Sequence, residues 1–62
     1  MLELIAKTEI ENAIPVELFR TNFGYAVRYG LEIKKHMSAE LARVEYTAMI
    51  NHALLCAHVY DN

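Results

Sequence analysis

Residues 16–37 read VELFRTNFGYAVRYGLEIKKHM, and the fold turns on whether this run is taken as helix or strand. Val16, Phe19, Phe23, Ala26, Gly30, Ile33 and Met37 recur in alternating steps of three and four, the spacing of a heptad-like helical seam. Val27 and Leu31 widen that seam to one side. Pro15 suits the first turn of a helix, where its missing N–H costs nothing, and Glu17 would sit near the positive end of the helix dipole. The spacing therefore predicts a first helix from Pro15 to about His36. Gly24 and Gly30 each weaken such a helix by about 1 kcal/mol relative to Ala. On the seam, Gly30 would let another backbone approach closely; Gly24 lies beside it and has no role in this reading.

Upstream, residues 2–11 alternate, with Leu2, Leu4, Ala6, Thr8 and Ile10 on one side and Glu3, Ile5, Lys7, Glu9 and Glu11 on the other. That is the period of a half-buried strand. Leu2, Ile5, Ala6, Ile10, Ala13 and Ile14 also fit one helical face, but that stripe leaves Leu4 unexplained. Downstream, Ser38 can cap a new helix with Glu40 in its first turn, and the helix is expected from about Ala39 to Val59. From Tyr46 to Tyr60 it carries no formal charge: YTAMINHALLCAHVY. Glu40, Arg43, Thr47, Asn51 and His58 make a wet stripe. Leu41, Val44, Ala48, Leu55 and Val59 make one apolar stripe, and Tyr46, Met49, Ile50, Ala53, Ala57 and Tyr60 another. A helix apolar over most of its circumference belongs inside an assembly.

The expected fold class is therefore α+β, mostly α: a strand–helix–helix protomer in a single domain spanning residues 1–62. A lone strand has no partner in its own chain, so the expected remedy is an intertwined homodimer with an intermolecular two-stranded antiparallel ribbon. Size leads the same way. A chain of 62 residues buries only about 60% of its unfolded surface, and small scaffolds compensate with disulfides, metals or oligomerisation. The single Cys56 excludes an internal disulfide. Hydrophobic residues are 55% of the chain, against an average of roughly 45–50%. If residues 2–11 are helical instead, a monomeric three-helix bundle results.

Chemistry-bearing constellations are sparse. His52 and Cys56, four apart, could supply half a metal site, but they also read as a packed thiol and imidazole. Cys56 lies in an apolar stretch without an activating group, so no catalytic, metal or cofactor site is expected and the protein reads as non-enzymatic. The net charge of −2 gives no global attraction for nucleic acid or anionic membrane. Arg28, Lys34, Lys35 and Arg43 form a modest basic patch, read as a helix C-terminus with Arg28–Glu32 and Glu32–Lys35 pairs. A ribbon-helix-helix-like DNA-binding regulator is the alternative, weakened by Glu3, Glu9 and Glu11 on the strand face that would meet phosphates. No apolar run is long enough to span a membrane, no signal peptide is evident, and one unpaired cysteine fits a reducing compartment.

The run LELIAKTEIENAIPVELFRTNFGYAVRYGLEIKKH (residues 2–36), followed by an apolar helix, resembles a family of very small early proteins of lambdoid temperate phages encoded between the exonuclease and excisionase genes. The resemblance implies a strand–helix–helix dimer made in the cytoplasm of the bacterial host. It implies a role that favours lytic development over lysogeny, exerted by binding a host or phage protein. No functional residues carry over from it. From the residues themselves, Phe19, Phe23, Val27, Gly30, Tyr46, Met49, Ile50 and Leu55 are expected to line the dimer core or an apolar groove between helices. Whether that groove is filled by self or left open for a partner stays undecided at this point.

Overall fold

The computed structural model describes the backbone of residues 2–60 and the side chains of residues 2–57; the places read for the His58, Val59 and Tyr60 side chains lie outside them. The order of elements is β1 (Glu3–Thr8), β2 (Val16–Thr21), β3 (Gly24–Tyr29), β4 (Glu32–His36) and α1 (Ala39–Tyr60). The strands form one antiparallel meander in the order β1-β2-β3-β4, and α1 lies across one face of it.

This overturns the mostly helical, strand–helix–helix expectation. Residues 16–36 are three strands joined by tight turns. Thr21 pairs with Gly24 and Tyr29 with Glu32, so each hairpin turns through two residues. At the first turn the Phe23 N–H donates to Thr21 Oγ1 at 3.1 Å. At the second, Gly30 opens the loop with φ of 63°, the left-handed conformation that a two-residue hairpin favours. Gly24 is required by space as well as by its φ of 146°. A Cβ there would lie 2.5 Å from the carbonyl oxygen of His36. The close backbone approach assigned to Gly30 belongs to Gly24 and comes from within the chain.

The three-and-four spacing has no counterpart in the strands, and its members scatter. Val16 faces α1, Phe19, Ala26 and Ile33 face away from it, Phe23 and Gly30 lie in turns, and Met37 lies in the link to α1. Residues 3–8 do form a strand, but β2 is its partner, so no intermolecular ribbon is needed to satisfy β1. With β1 built into the sheet and one helix per chain, the ribbon-helix-helix alternative and the groove between helices both lose their scaffold. The Arg28–Glu32 and Glu32–Lys35 pairs go too, since they required helical spacing.

A register shift between Leu4 and Ala6 leaves Ile5 as an extra residue in β1. Leu4 consequently sits opposite Phe19, whereas Ala6 and Thr8 sit opposite Leu18 and Val16. Adjacent strand residues face opposite sides, so the shift moves Leu4 to the face away from α1.

The helix begins as the sequence indicates. Ser38 Oγ accepts from the Glu40 N–H at 3.2 Å, and the Ala42 N–H donates to the Ser38 carbonyl at 3.1 Å. Of its two apolar stripes, only one is covered. Ala42, Met49 and Ala53 are buried against Val16, Leu18 and Val27, with Tyr46 and Ile50 packed at the margin. Val16 and Val27 are the largest fully buried side chains, each worth about 1.5–3 kcal/mol of burial. The hydroxyls of Thr8 and Tyr46 hydrogen-bond at 2.6 Å and tie β1 to α1. At about 33 Å for its 22 residues, α1 outruns the strands, and the molecule is 41 Å long.

The turn geometry sets a graded outcome for two substitutions. Gly24→Ala must move the backbone at His36, so it should cost well over 1 kcal/mol of stability, measured by urea denaturation. At Gly30 a Cβ meets only the Ile14 side chain at 3.4 Å, so Gly30→Ala should cost about 1 kcal/mol, chiefly from its backbone conformation.

Candidate functional site: two uncovered apolar surfaces

The face of the sheet away from α1 has no covering layer among the described residues. Phe19 on β2, Ala26 on β3 and Ile33 on β4 form its floor, with Leu2 at one margin and Phe23 and Met37 at another. Together they line a concavity of ≈ 670 Å³. Phe23 is 87% exposed and Met37 86% exposed, although both are large and apolar. Antiparallel sheets can leave one face to water, but that face is then usually polar.

The charges on this face are partly spoken for. Arg28 pairs with Glu17 at 2.6 Å and lies over the Phe19 ring at 5.2 Å from its centroid. Lys7 pairs with Glu9 at 3.4 Å. On the opposite side of the sheet Arg20 binds Glu3, and the hydrogen bond and charge of that carboxylate raise the guanidinium pKa above its ordinary value. Lys34 and Lys35 on β4 have no ion-pair partner among the described residues. Lys35 borders the concavity.

The second surface is the outer side of α1. Leu41, Val44, Ala48, Asn51 and Leu55 follow steps of three and four, and all are exposed. Leu41, Val44, Ala48 and Leu55 belong to the other apolar stripe read from the sequence, whose Val59 side chain lies outside the described residues; Asn51, read there as part of the wet stripe, falls among them. Thr47 and Arg43 border it in a shallow hollow of ≈ 490 Å³.

The residues singled out by sequence separate into four groups. Val27, Tyr46, Met49 and Ile50 belong to the chain's own core or its margin. Phe19 and Phe23 line the open sheet face, while Leu55 lies on the outer helix face, 67% exposed. Gly30 is a turn residue. Ala26, Ile33 and Met37 belong to the open face as well; sequence reading placed them on a helix. The signal for strands lay in the glycines and in the dense β-branched and aromatic content of residues 16–33.

His52 and Cys56 do meet: Cys56 Sγ lies 3.6 Å from His52 Nε2, and Tyr29 packs edge-on to the His52 ring at 5.8 Å. Among the described residues no group of three or more His, Cys, Asp or Glu side chains could hold a metal ion. His36 Nε2 is buried without a hydrogen-bond partner among the described residues, 3.7 Å from Glu45 Oε1. No helix among the described residues is long and apolar enough to cross a membrane.

If the concavity is a binding surface, an apolar fluorescent dye should bind the folded protein. Phe23→Asp and Met37→Asp should each weaken dye binding severalfold with little change in the urea midpoint, because neither side chain is part of the core. No family model, curated protein or solved structure matches the chain.

Proposed function

We propose that this is a non-enzymatic protein-interaction module whose open sheet face receives a partner protein. One observation carries the reading: the amount of apolar surface the fold leaves uncovered. The chain exposes 4698 Å², whereas a folded monomer of its 7.1 kDa mass exposes about 4,100 Å². The excess is about 600 Å² of total surface, below but of the order of the roughly 800 Å² that each side of a standard interface buries. Exposed large apolar side chains gather on two patches, Phe23, Ile33 and Met37 on the sheet and Leu41, Val44 and Leu55 on the helix, and patches of this kind mark interaction sites. The resemblance to small early proteins of lambdoid phages implied a strand–helix–helix protomer that the chain does not form, and it is the sole ground for placing the module in the host bacterial cytoplasm with a role favouring lytic development.

A second element of the reading concerns self-association, here through α1. Leu41, Val44, Ala48, Asn51 and Leu55 have the spacing of a two-helix seam, with small Ala48 at its centre. An antiparallel pairing of two copies about Ala48 would cover the stripe in both and leave each sheet face free for a target. Asn51 would then act as the polar residue that fixes register.

The reading has two checks. Tagged protein should retain a specific partner from the lysate of a bacterial host, and Phe23→Asp should release it while the circular dichroism spectrum is unchanged. Retention indifferent to the sheet-face substitutions, or none at all, would defeat the proposal. In sedimentation, the purified chain should be a dimer and Ala48→Glu a folded monomer; a dimer that survives Ala48→Glu removes α1 from the interface.

A further inference from the structure

The binding surface does not stop at the open face of the sheet, because β4 is an edge. Among the described residues only β3 pairs with it, along an unbroken register from Tyr25↔His36 to Tyr29↔Glu32. Its other side presents a row of unpaired backbone donors and acceptors, the template for adding a strand. The opposite edge, β1, is interrupted at Ile5 and is the poorer template.

The side chains on β4 select what can join it. Lys34 and Lys35 are exposed and lack ion-pair partners among the described residues. Two β4 strands brought together antiparallel about Lys34 would set Lys34 against Lys34, so that register of self-pairing is disfavoured. The same charges favour an acidic strand. Alternation then fixes where the acids belong. Ile33 and Lys35 point to the open face, and Lys34 to the side that carries α1. In an antiparallel ladder, directly opposed residues share a face.

We propose that β4 accepts an extended acidic segment of a partner protein as a fifth, antiparallel strand, with an apolar side chain opposite Ile33 and carboxylates opposite Lys34 and Lys35. The apolar side chain enters the rim of the concavity beside Ile33 and Met37. Backbone hydrogen bonds along β4 supply affinity, and the two lysines supply selectivity. This assignment rests on the reading of the sheet face as a binding surface and names the chemistry of what binds there.

The probe is a labelled peptide with the core Thr-Glu-Glu-Ile-Lys, whose order places its residues opposite His36, Lys35, Lys34, Ile33 and Glu32 in turn. Fluorescence polarisation at low salt should show binding that weakens as salt rises. Amide hydrogen exchange should show new protection along β4. The double variant Lys34→Glu, Lys35→Glu should lose about tenfold in affinity, and a peptide with lysines in place of its glutamates should bind that variant in preference to the original protein. Val44→Asp, on the far side of α1, should bind the peptide unchanged. Absence of binding, binding indifferent to the two lysines, or protection confined to α1 would overturn the assignment. The lysines are exposed, so the double variant keeps the core intact. If Phe23→Asp still releases a captured protein but the peptide fails, the edge assignment alone falls. If the peptide binds and no protein is captured, the edge assignment stands and the broader function falls.

Discussion

The structure depends on how closely one narrow strip of α1 sits on the middle of the sheet. Ala42, Met49 and Ala53 meet Val16, Leu18 and Val27, and that contact is the centre of the core. Two of the three helix residues are alanines, so the helix approaches the strands without large side chains in between. A single helix and a four-stranded sheet can cover each other only once. The small strip that achieves this leaves Leu41, Val44 and Leu55 on one outer surface and Phe23, Ile33 and Met37 on the other. The exposed apolar surface follows directly from a helix that covers one side of the sheet and no more.

Electrostatics reinforce this arrangement without creating it. The Glu17–Arg28 and Glu3–Arg20 pairs join neighbouring strands, and Lys7–Glu9 closes the end of β1. Pairs this exposed are each worth about 0–1 kcal/mol, too little to set the fold. Their effect is to neutralise much of the charge on β1–β3. Positive charge without a described counter-charge is left on β4, next to the apolar concavity. The proposed binding surface and the core therefore draw on different parts of the molecule.

The sequence was legible where a local rule had a single reading. Ser38 with Glu40 marked the start of α1; the alternation of residues 2–11, which also fitted a helical face, became β1 over Glu3–Thr8 alone and with its alternation broken at Ile5. The two apolar stripes of α1 were both real, but sequence could not say which would be covered. Residues 16–37 were misread because a run this dense in apolar residues offers steps of three and four by chance, and the β-branched and aromatic content that favours strands was outweighed by that spacing. The glycines held the answer. In the helical reading both weakened the structure and Gly24 had no purpose; in the hairpins, Gly30 makes a turn and Gly24 clears the path of His36. The apparent need for a second chain to satisfy β1 vanished once β2 was recognised as a strand.

The surplus residue at Ile5 has an effect beyond redirecting Leu4. It makes the two rims of the sheet unlike: one is kinked, the other straight and cationic. A protein with two straight, compatible rims would hand its sheet on from copy to copy without end, as fibrils do. Mismatched rims break that chain of hand-overs. A sheet with one open apolar face and unlike rims is thereby guarded against open-ended strand addition.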